Sequence, residues 1–314
     1  MATEVISTIR SSGGDYTSLS SWEAGEQRNL VSANEIEVAE CYNDWPSGLN
    51  NTVVVSGWTT DSTHYVVIRP ASGNGHNGTP GTGFFVSQSG ARLSMSQAYT
   101  VVTGIEVRNT GANDGLQLNA TGAKCFNVLA KAANSAKAAI ALDNGTAICC
   151  YAFDSGYGYY IGNNCFVYNS IATNCTTRGF WSGVAATGVA TNCVAYACAT
   201  NWVGTWGASS TNNATSSASD DAPGSSSVTG VSSSDFANAA GNDFHLSSGS
   251  VLRGAGTNLY STFTTDIDGD TWPSSGAWDI GFDYYVASSS LPTLTNITLS
   301  NITTSGYRAT VAGS

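Results

Sequence analysis

Asn127-Val-Leu-Ala-Lys131, Asn169-Ser-Ile-Ala-Thr173 and Asn192-Cys-Val-Ala-Tyr196 are one short phrase written three times. Looser copies stand at Thr103-Gly-Ile-Glu-Val107, Ile148-Cys-Cys-Tyr-Ala152 and Asn213-Ala-Thr-Ser-Ser217. Along the chain the six starting positions differ by 24, 21, 21, 23 and 21 residues. An apolar or small residue holds the third place of each copy. A Gly then marks a corner before a second apolar run, as in Gly115-Leu-Gln-Leu118 and Gly179-Phe-Trp181. A fixed period of this size marks a solenoid, because each repeat buries its apolar face only against its neighbours. Two or three short strands per period fit one coil of a parallel β-helix, which rises about 4.8 Å per coil. A leucine-rich repeat has a similar period, but its Leu pattern is absent. The expected fold is all-β: a right-handed, single-stranded parallel β-helix of roughly six to eight coils, about 30 to 40 Å long. Recurrent Asn at a corner is expected to hydrogen-bond from coil to coil as a ladder.

The ends of a solenoid expose apolar side chains and unpaired backbone and need covers. Residues 1–48 read as an N-terminal cap. Thr8 to Tyr16 is strand then turn, and Ser20-Ser-Trp-Glu23 has capping-box spacing for a short amphipathic helix from Trp22 to Leu30. Residues 49–250 are assigned to the β-helix, with a Gly-rich excursion between Arg69 and Gly83. Residues 251–287 form a C-terminal closing segment. Residues 288–314 read as a Ser-rich linker and the first strand of an appended immunoglobulin-like module, from the alternation in Leu291-Pro-Thr-Leu-Thr-Asn-Ile-Thr-Leu299.

Composition narrows the function. Charged residues are 11% of the chain, against about 25% in ordinary globular proteins. The net charge is −11 and there are three lysines, Lys124, Lys131 and Lys137. A nucleic-acid partner needs clustered Lys and Arg, so none is expected. No stretch reaches the apolar length of a membrane span, and the first ten residues lack a basic region followed by an apolar run. The chain is therefore expected to be made in a cytoplasm, with its eight cysteines reduced. With three histidines (His64, His76, His245) and no Cys-x-x-Cys, zinc is not expected. The cysteines read mainly as small buried hydrophobes.

Few residues suggest chemistry. Glycosidases need two carboxylates at set separations. Asp143 and Asp154 lie on neighbouring coils, and Asp220-Asp221 sits in low-complexity sequence; turn roles suit all four. Asp266, Asp268 and Asp270 offer the clustered oxygen ligands that Ca²⁺ takes, or else a polar turn. His76 in Gly73-Asn-Gly-His-Asn-Gly78 reads as a solvated loop residue, and His245 as structural. Tyr157, Tyr159, Tyr160, Phe180, Trp181, Trp202 and Trp206 crowd consecutive coils. They would fill the solenoid, form a protein interface or stack on glycan.

Two stretches carry a family resemblance. Asp243-Phe-His-Leu246, Gly254-Ala-Gly256, Asp266-Ile-Asp-Gly-Asp270 and Trp278-Asp-Ile-Gly281 together resemble the closing segment of right-handed β-helix proteins, although Thr271-Trp-Pro273 stands where an Arg is usual. Gly13-Gly-Asp-Tyr-Thr-Ser-Leu-Ser-Ser-Trp-Glu23 resembles the opening of β-helix structural proteins of tailed bacteriophages and prophages. The resemblance implies a non-enzymatic virion protein: a head decoration, fibre or spike component that meets other capsid or tail proteins, forms homotrimers and contacts host surface glycan. Fold does not dictate function, so two alternatives stand beside this one, a polysaccharide-degrading tailspike or lyase and a glycan-binding adhesin-like module.

Overall fold

A computed structural model describes residues 2–183 and 187–287. The expected strand of an appended module lies outside these residues. The chain is a parallel β-solenoid built from three sheets. The first sheet has eight strands, running from Thr3–Ile9 through Lys124–Phe126 to Val189–Thr191. The second has seven, from Phe85–Gln88 through Leu129–Ala132 to Ala214–Thr215, and the third seven, from Val54–Val55 through Tyr157–Ile161 to Trp202–Val203. Six coils carry a strand of all three sheets, beginning with the one that contains Val66–Pro70. The ladder reaches closer to the N-terminus than position 49, because Thr3–Ile9 pairs in parallel with Glu35–Cys41 along its whole length.

The corner between the first and second sheets sets the geometry. On successive coils it is made by Gly104, Asn127, Cys149, Asn169, Asn192 and Asn212, all with positive φ. Asn tolerates the left-handed conformation better than other side-chain-bearing residues. Each corner N–H donates to a carbonyl of the next coil: Asn127 to Ile148, Cys149 to Tyr168, Asn169 to Thr191 and Asn192 to Thr211. The amides also join into part of the expected ladder, with Asn192 Nδ2 donating to Asn169 Oδ1 at 3.0 Å.

Inside, like stacks on like. The third sheet points Leu93, Leu116, Ile140, Tyr159, Phe180 and Trp202 inward in one row. The last three rings lie nearly parallel, with centroids 4.6 and 4.2 Å apart. The second sheet supplies smaller partners on the same coils, Ala152, Ala172 and Ala195, so the row of rings fits without overpacking. Gly158 belongs to this fit: a Cβ there would stand 2.8 Å from the Ala172 Cβ. The buried Tyr159 hydroxyl donates to the Cys150 carbonyl at 2.9 Å. Seven of the eight cysteines are buried. Cys125, Cys150, Cys165 and Cys193 belong to this interior.

A second core lies outside the solenoid. Leu129, Tyr151, Ile171 and Val194 are paired in one row of the second sheet, point outward, and are nonetheless buried. The chain from Phe236 to Phe282 lies over them, contributing Phe244, Leu252, Trp272, Trp278, Ile280 and Phe282. The closing segment is thus a strap along the side of the rod. The third place of the sequence repeat marks this sheltered outer row at Leu129, Ile171 and Val194, whereas Ile105 and Cys150 belong to the interior. On three of the six copies the repeat starts one residue away from the structural corner, which falls at Gly104, Cys149 and Asn212.

The N-terminal helix spans Leu19–Glu26, and its cap is Ser18 rather than Ser20, with Ser18 Oγ accepting from Ser21 N at 3.1 Å. Glu23 does not close a capping box because its carboxylate takes the Ser56 N–H at 3.2 Å. Trp22 is fully buried and donates to Glu37 Oε1 at 2.9 Å. Glu37 also accepts from Ser7 and Arg28 at 3.0 and 2.8 Å, so its burial is matched by donors.

The corner predicts its own test. Asn192→Ala places a Cβ-bearing residue without a side-chain amide at a φ of 56° and removes bonds to Asn169 and Thr257. It should lower stability in denaturant unfolding by about 3 to 5 kcal/mol. Asn192→Gly relieves the backbone strain alone and should recover about 1 to 2 kcal/mol of that loss. Equal losses for the two variants would show that φ is immaterial here.

Candidate functional site

The strap meets the solenoid through polar groups as well as rings. Corner amides reach out to strap carbonyls: Asn127 Nδ2 to Asp266 at 2.8 Å, Asn169 to Gly281 at 2.9 Å, Asn192 to Thr257 at 2.8 Å and Asn212 to Ala255 at 2.8 Å. At the fifth corner Cys149 Sγ lies 3.8 Å from the Thr265 carbonyl.

At one end of this junction titratable groups converge. His245 and Asp243 share one face of the strand Asp243–Leu246, as alternation requires. His245 Nδ1 lies 2.5 Å from Asp243 Oδ1. Its Nε2 is 3.1 Å from Asp268 Oδ2, an ion-pair contact whose alignment falls short of a hydrogen bond. Ligand atoms of His245, Asp268 and Asp283 lie within 4.8 Å of one another. Burial works against the charge on His245, but Asp268 and Asp243 outweigh it and push its pKa up to about 9. Burial raises Asp283 to about 7 although Leu246 N–H donates to it at 2.6 Å.

The three aspartates expected as calcium ligands separate. Asp266 is fully buried, and its carboxylate is occupied by backbone: Oδ1 accepts from Asp268 and Asp270 at 3.0 and 2.8 Å, and Oδ2 from Tyr284 at 3.0 Å. Burial, opposed by these N–H groups, raises it to about 6. Its carboxylate organises a turn by holding the N–H groups of Asp268 and Asp270. Asp268 alone of the three joins the histidine cluster.

His76 is not a solvated loop residue. Its Nε2 donates to the Asn127 carbonyl at 2.7 Å, its Nδ1 accepts from Gly78 at 3.2 Å, and burial lowers its pKa. The Gly-rich excursion packs against the strap there, so closely that a Cβ on Gly78 would stand 2.7 Å from the His245 ring. Asp143 and Asp154 take separate corners. Asp143 lies beside Gly162, and Asp154 pairs with Lys131 at 3.1 Å. A cleft of about 190 Å³ lined by Glu106, Arg108, Lys131 and Phe153 holds charges already paired, with Arg108 Nε 2.5 Å from the buried Glu106 carboxylate.

The seven crowded aromatics divide. Tyr159, Phe180 and Trp202 form the internal stack, with Trp206 edge-on to Trp202 at 5.3 Å. Tyr160 and Trp181 stand on the outer face of the third sheet, Tyr157 opens its strand, and the Trp181 ring is 5.0 Å from each tyrosine ring. The Arg178 guanidinium lies 4.2 Å above Trp181 and 5.6 Å from Tyr157. Sequence reading missed Arg178 and Asp283. The first has a sequence signal, a cation three residues before an aromatic ring. The second needs the long-range strap pairing, which leaves no local mark.

No family model matches the chain and no curated protein matches it. Among solved structures the chain is similar to the crystal structure of pectate lyase Pel9A, at 17% identity and a TM-score of 0.45, over 91% of this chain and 97% of that one. Among the described residues no helix is long and apolar enough to cross a membrane.

The strap junction predicts a pH dependence. His245 is raised from 6.5 to about 9, so its stabilisation is complete below about 6.5 and is lost as pH rises through about 9. Asp283 is raised from 3.8 to about 7, so the folded chain holds that proton more tightly and stability also falls as pH climbs from about 4 through 7. In urea unfolding at graded pH, Asp283→Asn should flatten the lower limb relative to the parent and His245→Gln the upper. Parallel curves for parent and variants would refute the assignment.

Proposed function

We propose that the chain is a non-enzymatic structural rod on the exterior of a bacteriophage particle. The observation that supports it is where the proton-carrying groups sit. His76, Asp266 and Asp283 lie at the junction of strap and solenoid bonded to backbone, and His245 lies there bonded to Asp243. The carboxylates that line the outer clefts are tied to cations, Glu106 to Arg108, Asp44 to Arg10 and Asp154 to Lys131. General acid–base catalysis needs such a group within reach of a substrate atom. The opening stretch from Gly13 to Glu23 supplies the link to phage structural proteins. Charge-poor outer faces and a rod with two cores suit a durable external part.

Mass spectrometry and electron microscopy on phage or prophage particles that encode the chain test this reading. A fixed copy number on a capsid or tail is expected, with no release of reducing ends from acidic or neutral polysaccharides by the purified protein. Occurrence only as free protein, or measurable cleavage, would overturn it.

A further inference from the structure

We propose that the outer face of the third sheet, over the strands Ala138–Leu142, Tyr157–Ile161 and Arg178–Ser182, binds an acidic polysaccharide through uronate units. This goes beyond a structural role and requires no catalysis. Successive side chains of a strand point to opposite faces. Residues Ser94, Gln117, Ala141, Tyr160, Trp181 and Val203 are paired in one outward row. The strap covers the second sheet and leaves Tyr160 on this row 37% exposed. Towards one end of the row stand Tyr160 and the half-buried Trp181, with the Tyr157 ring 5.0 Å from Trp181; towards the other lies a trough of about 360 Å³ lined by Ser94, Ser96, Asn113, Gln117 and Asn119 with Arg92. Rings beside hydroxyl and amide groups match the two kinds of surface on a sugar, C–H faces and hydroxyl edges.

Charge selects the occupant. In a chain of net charge −11, Arg178 takes part in no ion pair among the described residues. It spends only its flat face, on Trp181 and Tyr157. The in-plane N–H fork is left for an acceptor, and its geometry matches a carboxylate bidentately. Lys137, in no ion pair among the described residues, lies next along the sheet, its carbonyl accepting the Tyr157 N–H at 2.9 Å. Two strand spacings, about 10 Å, separate the coils of Lys137 and Arg178, with Tyr157 between them. A neutral glycan would use the rings and leave both cations idle.

The test is isothermal titration of the purified full chain with polygalacturonate, with neutral galactan as the uncharged control and dextran sulfate as the charge control. Binding to polygalacturonate alone, weakened severalfold by added salt, is expected. Trp181→Ala and Arg178→Gln should each weaken it at least tenfold while leaving the unfolding midpoint within a few degrees of the parent. Arg178→Lys should fall between, because a point charge lacks the fork. No binding to polygalacturonate, equal binding to galactan or dextran sulfate, or unchanged binding in well-folded variants would overturn the proposal.

Discussion

The corner between the first and second sheets carries two loads. A left-handed residue there turns the chain sharply enough to keep the coils in register, and its N–H ties one coil to the next. Where that residue is Asn, its amide also points outward and holds the strap. Asn169 and Asn192 serve both purposes, bonding to each other and to the carbonyls of Gly281 and Thr257. A Gly corner such as Gly104 meets the backbone requirement but offers no amide. Cys149 meets it with a weaker donor, under a strap carbonyl.

Two cores follow from that arrangement, one on each side of the second sheet. A parallel sheet buried on both faces reads as a nearly continuous apolar run, and strands such as Ile171–Thr173 and Tyr151–Phe153 are buried at every position. Among the described residues the strap does not extend over the third sheet, and Tyr160 and Trp181 stand on its outer face. The strap also explains the titratable cluster. Asp266, Asp279 and Asp283 sit under apolar cover because their carboxylates shape turns by accepting backbone N–H groups.

The solenoid was legible because its period is written in residues that stack on themselves. The strap was only half legible. Its segments were recognisable from Asp243 to Gly281, but their position was not, since nothing local in Leu129 or Val194 says that an outward residue will be covered. For the same reason the seven aromatics read as one cluster: alternation separates the inward Tyr159 and Phe180 from the outward Tyr160 and Trp181 only once the register is known. His76 read as solvated because a Gly-rich loop ordinarily is, whereas here the loop docks on the corner at Asn127.

Joined through the corner amides, strap and solenoid should open as one cooperative structure. Native-state hydrogen exchange read by mass spectrometry tests it directly. Amides of Phe244, Ile267 and Ile280 should exchange with the same opening free energy as those of Leu129, Ile171 and Val194. Exchange of the strap through a separate low-energy opening, with the second sheet still protected, would show instead that the strap is an appendage laid over a solenoid complete without it.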